Sequence, residues 1–251
     1  MIRNLLGTLI SLLFLVSCAS GPNEKSVKFN PKAAEANAEL GKNYIQLGNY
    51  EIALGKLKKA LGYNPKSVNA NHYIAELYRR LDKSEEADKH YKIAIENSVN
   101  DSALFNNYGV YLCGEKRIDE AMVQFNKVLS NPVYRFPEQV YENLGLCMEK
   151  NNHTKEAELN LRKALAINPN RSQSLFELSR ISLRRGKLFS ARAFMNRYND
   201  NSKSSAKSLG LAIEIETKLK DSQAVKSYGE QLLKMFPLSE EAEKYHRLNM
   251  R

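Results

Sequence analysis

Three cysteines and four histidines are the residues in this 251-residue chain whose types could do chemistry. The histidines, His72, His90, His153 and His246, are scattered and form no H-E-x-x-H or other metal-ligand spacing. No G-x-S-x-G, phosphate-binding glycine loop or dinucleotide fingerprint is present. His72 has no identifiable partner that would make it a general base. The expectation is no catalytic residue, no metal and no cofactor. Three cysteines are too few for a disulfide scaffold, so each is read by its own surroundings.

Cys18 closes an apolar stretch. Arg3 is followed by the 12-residue run Leu5 to Val16, then Ser17 and Cys18. A spanning helix needs roughly 20 apolar residues, whereas a positive n-region with a run of this length is the pattern of a secretory signal. The segment Leu15-Val16-Ser17-Cys18 resembles a bacterial lipobox. That resemblance implies a diacylglyceryl group on the Cys18 thiol, cleavage before Cys18 and a lipid-anchored mature chain. Ala19, rather than Asp, implies the outer membrane in the enterobacterial sorting rule. Residues 1–17 are thus read as a lipoprotein signal peptide. Residues 18–32, polar and broken by Gly21, Pro22 and Pro31, are read as a lipidated tether.

The rest, residues 33–250, repeats itself. Leu40-Gly41-x-x-Tyr44, Ala53, Leu57, Ala60 and Pro65 match Leu144-Gly145-x-x-Met148, Ala157, Leu161, Ala164 and Pro169 at every spacing. The small-residue marker recurs at Ala53, Ala87, Ala121, Ala157 and Ala191, with gaps of 34, 34, 36 and 34 residues. This is the tetratricopeptide period and marker pattern. The expected fold is all-α: a tetratricopeptide-repeat (TPR) solenoid of six helix-turn-helix repeats, closed by a short capping helix over 239–250. The repeats fall at 34–67, 68–101, 102–135, 138–171, 172–205 and 205–238. Gly41, Ala75, Gly109 and Gly145 belong where paired helices cross, and Gly48, Asp82, Lys116, Asn152 and Gly186 begin the turns. All seven prolines are placed in the tether or between repeats. The extra two residues of the long gap are placed near Phe136-Pro137.

These elements position the remaining candidates. Cys113 and Cys147 lie 34 residues apart on the first helices of adjacent repeats. With Cys18 lipidated, they are the two thiols left in an oxidising periplasm, and a disulfide is expected. Ala38, Lys42, Ile45, His72, Asn106 and Val110 are assigned to a partner-binding groove, with Ala38 and Ile45 as exposed anchors on the uncovered first repeat. The lysine and asparagine set of a carboxylate-clamp TPR domain is missing, since Ala38, Lys42, Tyr73, Ala103 and Asn107 stand there. Net charge is +10, of which Arg171 to Lys207 carries +7 (nine basic residues against Glu177 and Asp200). Arg180, Arg184, Arg185, Lys187 and Arg192 form a candidate basic patch for an acidic protein or phospholipid headgroups. Nucleic acid is not expected as a partner.

Asn106-Asn107-Tyr108-Gly109-Val110-Tyr111-Leu112-Cys113 resembles the N-N-Y-G-x-F-L-C segment of the type IV pilus biogenesis/stability lipoproteins (PilF/PilW). Asn131-Pro132-Val133-Tyr134, Glu142-Asn143-Leu144-Gly145-Leu146-Cys147 and Phe236-Pro237-Leu238-Ser239-Glu240-Glu241 resemble that family's D-P-x-Y, E-N-x-G-x-C and F-P-x-S-x-E segments. The resemblance spans the mature chain and departs from the family at Asn131 and Tyr111 and in the basic fifth repeat. It implies a pilotin: an outer-membrane lipoprotein facing the periplasm that binds the type IV pilus secretin and promotes its localisation and multimerisation; the oligomeric state is not set by the sequence, and a monomer is the expectation. The other class open at this point is a general envelope scaffold for outer-membrane protein assembly or peptidoglycan enzymes.

Overall fold

The computed structural model describes residues 28–249. Cys18, the signal segment and most of the tether lie outside the described residues. Thirteen α-helices follow one another, with no strand among the described residues. They are α1 (Pro31–Gln46), α2 (Tyr50–Tyr63), α3 (Val68–Arg80), α4 (Ser84–Asn97), α5 (Ser102–Gly114), α6 (Ile118–Leu129) and α7 (Pro137–Lys150). Then come α8 (Thr154–Ile167), α9 (Ser172–Arg184), α10 (Leu188–Asn201), α11 (Ala206–Leu219), α12 (Ser222–Met235) and α13 (Glu240–Asn249). Consecutive helices pack as six antiparallel pairs, each pair packs on the next, and α13 closes against α11 and α12.

Local chemistry sets the boundaries. Asn30, Ser67, Asp101 and Asp221 each accept a backbone N–H three residues on, capping a helix start. Ser205 and Ser208 form a reciprocal capping box at α11. Each first helix ends in one repeated device. Asn49, Lys83, Arg117, His153, Lys187 and Asp221 donate their backbone N–H to Tyr44, Tyr78, Leu112, Met148, Ser182 and Glu216 at 2.8–3.0 Å. The residue before each donor is left-handed: Gly48, Asp82, Lys116, Asn152, Gly186 and Lys220 all have positive φ. This is a Schellman-type stop, and it matches the turn residues read from the sequence, with Lys220 as a sixth.

The crossings follow the expected logic in three repeats. A Cβ on Gly41 would lie 2.5 Å from Leu57 Cγ, on Gly109 2.8 Å from the Phe125 ring, and on Gly145 2.7 Å from Leu161 Cγ. In the fifth repeat Ser179 takes the glycine position, is fully buried, and donates its hydroxyl to the Ala191 carbonyl at 2.9 Å. The sixth repeat reverses the sizes. Ile213 stands on the first helix and Gly229 on the second, where a Cβ would collide with the Tyr245 ring of α13. One core runs through the middle repeats, around Tyr91, Phe125, Leu161 and Leu178, and smaller clusters fill both ends.

Two expectations are corrected. Pro31 and Pro137 open α1 and α7 rather than lying outside helices. The first helical position tolerates proline because its N–H has no intrahelical partner. Pro31 and Lys32, assigned to the tether by composition, therefore form the start of α1. The two extra residues lengthen the α6–α7 loop, which runs over 130–136, whereas the α4–α5 loop spans only 98–101.

Candidate partner-binding groove

First helices of adjacent repeats lie side by side, and a row of polar links joins them. Tyr73 donates its hydroxyl to Glu39 at 2.9 Å. The Asn107 amide meets His72 Nε2 at 3.0 Å, and Asn143 donates to Asn106 at 3.0 Å. Glu142 accepts from the Ser174 N–H at 3.0 Å and its hydroxyl at 2.7 Å, and pairs with Arg171. Glu149 pairs with Arg184. These groups sit mostly at the seams between repeats, so they set repeat against repeat.

That arrangement re-sorts the groove candidates. Lys42 and Val110 are partly exposed, Val110 packed against the main core and Lys42 bound to Glu39 at 2.8 Å and lying over the Tyr73 ring. Ala38, Ile45, His72 and Asn106 are buried, with exposures of 0, 5, 5 and 4%. Ala38 packs on Ala60 and Ala70, and Ile45 on Leu57 and Leu77. The next repeat covers the Ala38 position, so the exposed anchors expected at Ala38 and Ile45 do not exist. Burial pushes the His72 imidazole below its usual range, against the opposing pull of Glu76 and Asp101. With the Asn107 amide nitrogen donating, Nε2 is the unprotonated nitrogen. His72 is a seam residue.

Cys113 and Cys147 are joined in a disulfide, their Cα atoms 5.6 Å apart, which ties α5 to α7. The bridge helps line a cleft of about 430 Å³ with Val110, Leu146 and Asn143, rimmed by Arg79, Lys150, Asp82 and Glu115. An apolar centre with both signs of charge at its margins suits an amphipathic peptide segment.

The basic patch is not a field of free cations. Arg180 pairs with Glu177 at 2.7 Å, Arg184 with Glu149 and Arg185 with Glu158. Arg192 donates Nε–H to Glu216 at 2.9 Å and reaches Asp221 at 3.1 Å. Lys187 is exposed. The Arg162 hydrogen bond, aided by Lys187 and Arg185, holds the Glu158 carboxyl below the usual range. Most of the patch serves to bind the fourth, fifth and sixth repeats to one another, so a charged partner meets less positive potential than the local composition implies.

A second cleft, of about 660 Å³, was not foreseen. Phe176, Glu177, Arg180, Tyr198, Lys207 and Leu211 line it, with Phe176 and Tyr198 5.6 Å apart. Burial raises the Glu177 carboxyl above its usual range despite the pull of Arg180. The available signal was Phe176 itself, 34 residues after Glu142, an aromatic where every earlier repeat has a small or polar residue.

Among the described residues no cluster of histidine, cysteine or acidic side chains could hold a metal, and no helix is long and apolar enough to cross a membrane. Paired helices on a 34-residue period, Schellman stops and small-residue crossings define a tetratricopeptide-repeat protein. Tetratricopeptide-repeat family models match residues 38–102 and 138–171. The type IV pilus assembly protein PilF of Pseudomonas aeruginosa is 27% identical over 234 residues, 92% of this chain and 93% of that protein. The crystal structure of PilW, described as a widely conserved type IV pilus biogenesis factor, superposes with a TM-score of 0.78 at 28% identity, covering 86% of this chain and 99% of that one. The P. aeruginosa PilF structure gives 0.75 at 28% identity, covering 86% and 97%. The chain is a tetratricopeptide-repeat protein that is similar over most of its length to PilF and PilW.

Proposed function

We propose that this protein is an outer-membrane lipoprotein of type IV pilus assembly that binds the pilus secretin subunit and promotes its localisation and multimerisation. The observation that carries the reading is similarity to PilF over nearly the whole of both chains. The segments 106–113 and 142–147, singled out from the sequence, hold the bridged Cys113 and Cys147 and part of the cleft. Acyl chains on Cys18 supply the location, the segment after it supplies reach, and the groove supplies a surface for a segment of the partner. Lys42 and Val110, with Leu146, replace the buried Ala38 and Ile45 as the contact residues.

The test is affinity capture from membranes. The secretin subunit is expected to co-purify with the intact protein, and Val110→Glu with Leu146→Glu is expected to lower its recovery at least tenfold, about 1.4 kcal/mol. Circular dichroism confirms that the doubly substituted chain remains helical. Undiminished recovery would remove the central cleft from the reading. Normal heat- and detergent-resistant secretin multimers in a clean deletion strain would remove the pilotin role.

A further inference from the structure

Antiparallel pairing puts every turn within a repeat at one edge of the stack and every loop between repeats at the other. The two edges differ in apolar exposure. On the loop edge Val99, Val133 and Phe136 are 90, 79 and 57% exposed. They lie on neighbouring loops joined by a 3.0 Å hydrogen bond from Asn131 to the Ser102 hydroxyl. The loop over 130–136 is braced rather than loose. Asn131 accepts the Val133 N–H at 3.2 Å, and Tyr134 packs on the main core. Phe136 stands edge-on to the Tyr134 ring, with centroids 6.2 Å apart. Arg135 between them is exposed, and the loop has no acidic residue. On the turn edge Asp82, Glu115 and Asp221 are interspersed with the basic residues, and the exposed large apolar residues there are Leu47 and Leu81 in the turns and Ile52 and Phe189 at the starts of α2 and α10.

The chain also enters at the loop edge. The Asn30 N–H donates to the Tyr63 carbonyl at 3.1 Å, which pins the start of the described chain beside the α2–α3 loop, and Phe29 there is exposed. Cys18 precedes Lys28 by ten residues. Ten residues have a flexible r.m.s. reach of about 17 Å and a full extension of about 35 Å. Acyl chains on Cys18 would therefore keep this edge close to a bilayer. Apolar and aromatic tips beside a cation suit the headgroup–acyl boundary.

We propose that the loop edge, centred on Val133, Arg135 and Phe136 with Val99 beside them, seats on the phospholipid surface of the membrane that holds the Cys18 acyl chains. The proposal rests on the lipoprotein reading above. It gives the solenoid a fixed attitude, loops against lipid and turns toward the periplasm.

The chain has no tryptophan, so a single introduced indole reports alone. The full-length lipoprotein carrying Phe136→Trp, and separately Leu47→Trp, is reconstituted into vesicles of phosphatidylethanolamine and phosphatidylglycerol with brominated acyl chains. Val133→Trp is the second loop-edge reporter, should Phe136→Trp disturb the start of α7. Intact mass of the same samples reads acylation of Cys18. The loop-edge indole is expected to shift to the blue and lose about half its emission, as for a side chain seated roughly 5–10 Å into the boundary. The Leu47→Trp indole is expected to stay water-like. Acylated protein with both indoles unquenched overturns the docking edge and leaves the anchor reading standing. Membrane protein without acylation overturns both. A blue shift that needs the secretin and not lipid makes the edge a protein contact, and also overturns the proposal.

Discussion

In the third and fourth repeats the paired helices meet where Gly109 lies under Phe125 and Gly145 under Leu161. In the sixth the large residue, Ile213, is on the first helix, the small one, Gly229, is on the second, and Tyr245 from the closing helix occupies the space beside Gly229. What a repeat requires is a close approach, and several size pairings meet it. Where the pairing follows the family pattern, the repeat finds its complement within itself. Where it is reversed, the complement comes from outside, so the sixth repeat depends on α13. Polar links, by contrast, cross the seams throughout, and around the fifth repeat they are mostly ion pairs. Arg171, just before α9, and Arg184 and Arg185 of the fifth repeat look back to Glu142, Glu149 and Glu158 of the fourth, and Arg192 looks forward to Glu216 and Asp221 of the sixth.

The largest expected effect tests whether the centre owes its stability to more than packing. The Cys113–Cys147 bridge closes a span of 34 residues. Replacing both cysteines by serine is expected to cost about 4 kcal/mol on the chain-entropy account. Urea unfolding measures the loss, and hydrogen exchange should assign it to α5–α8 while α11–α13 keep their protection. Equal loosening of both regions would mean that the stack unfolds as one unit and that the contrast has no energetic meaning.

Next in size is a pair of substitutions at the crossings. Gly145→Val drives two methyl groups toward Leu161, whose backbone nitrogen would lie only 3.1 Å from the new Cβ, so relief is small. The expected loss is about 3 kcal/mol in global stability. Gly229→Val meets the ring of a side chain on the terminal helix instead. It should release α13, seen as rapid amide exchange over 240–249, with a global loss of about 1 kcal/mol. A larger global loss at Gly229 than at Gly145 would refute the idea that the reversed pairing is confined to the end.

The smallest effect is in pH, and its sign differs between the regions. Burial lowers the His72 pKa, so the folded second repeat binds a proton less readily than the unfolded chain. Its contribution is fully present above the unfolded value of 6.5 and is lost as pH falls below it. Burial raises the Glu177 pKa, so its contribution is fully present below the unfolded value of 4.5 and is lost as pH rises through the folded one. Between neutral pH and pH 5, amide protection in α3 should fall while that in α9 holds or grows. His72→Gln should flatten the first trend and Glu177→Gln the second.

Much of this was legible. A 34-residue period, a small residue at each crossing and a turn residue seven positions later are strong constraints, so Gly41, Gly109 and Gly145 and five of the six left-handed residues that end first helices could be assigned from spacing alone. The Cys113–Cys147 pairing was also legible in the repeat geometry, which places the two residues on adjacent first helices. The groove was harder, because one residue along a helix rotates a side chain by about 100°. His72 and Asn106 face the seam, whereas Tyr73, Asn107 and Asn143, one place on, are partly exposed on the first helices. The pairing of the basic patch was not legible, since Arg184 and Arg185 meet partners 35 and 27 residues away that only the packing of repeats brings near. Nor was the Ile213–Gly229 reversal, because the repeat pattern places its small residue on the first helix.

The bridge also has a mechanical meaning. A stack of repeats is compliant: each joint is held by nearest-neighbour packing, and small rotations at successive joints add up to bending and stretching of the whole. The link from Cys113 to Cys147 takes the joint between the third and fourth repeats out of that series. Load applied between the ends is then shared among the remaining joints, and the stretch around α5–α8 behaves as a rigid splint with a spring on either side. A segment lying along the cleft beside the bridge would rest on the stiffest part of the molecule, and the ends could flex without disturbing it.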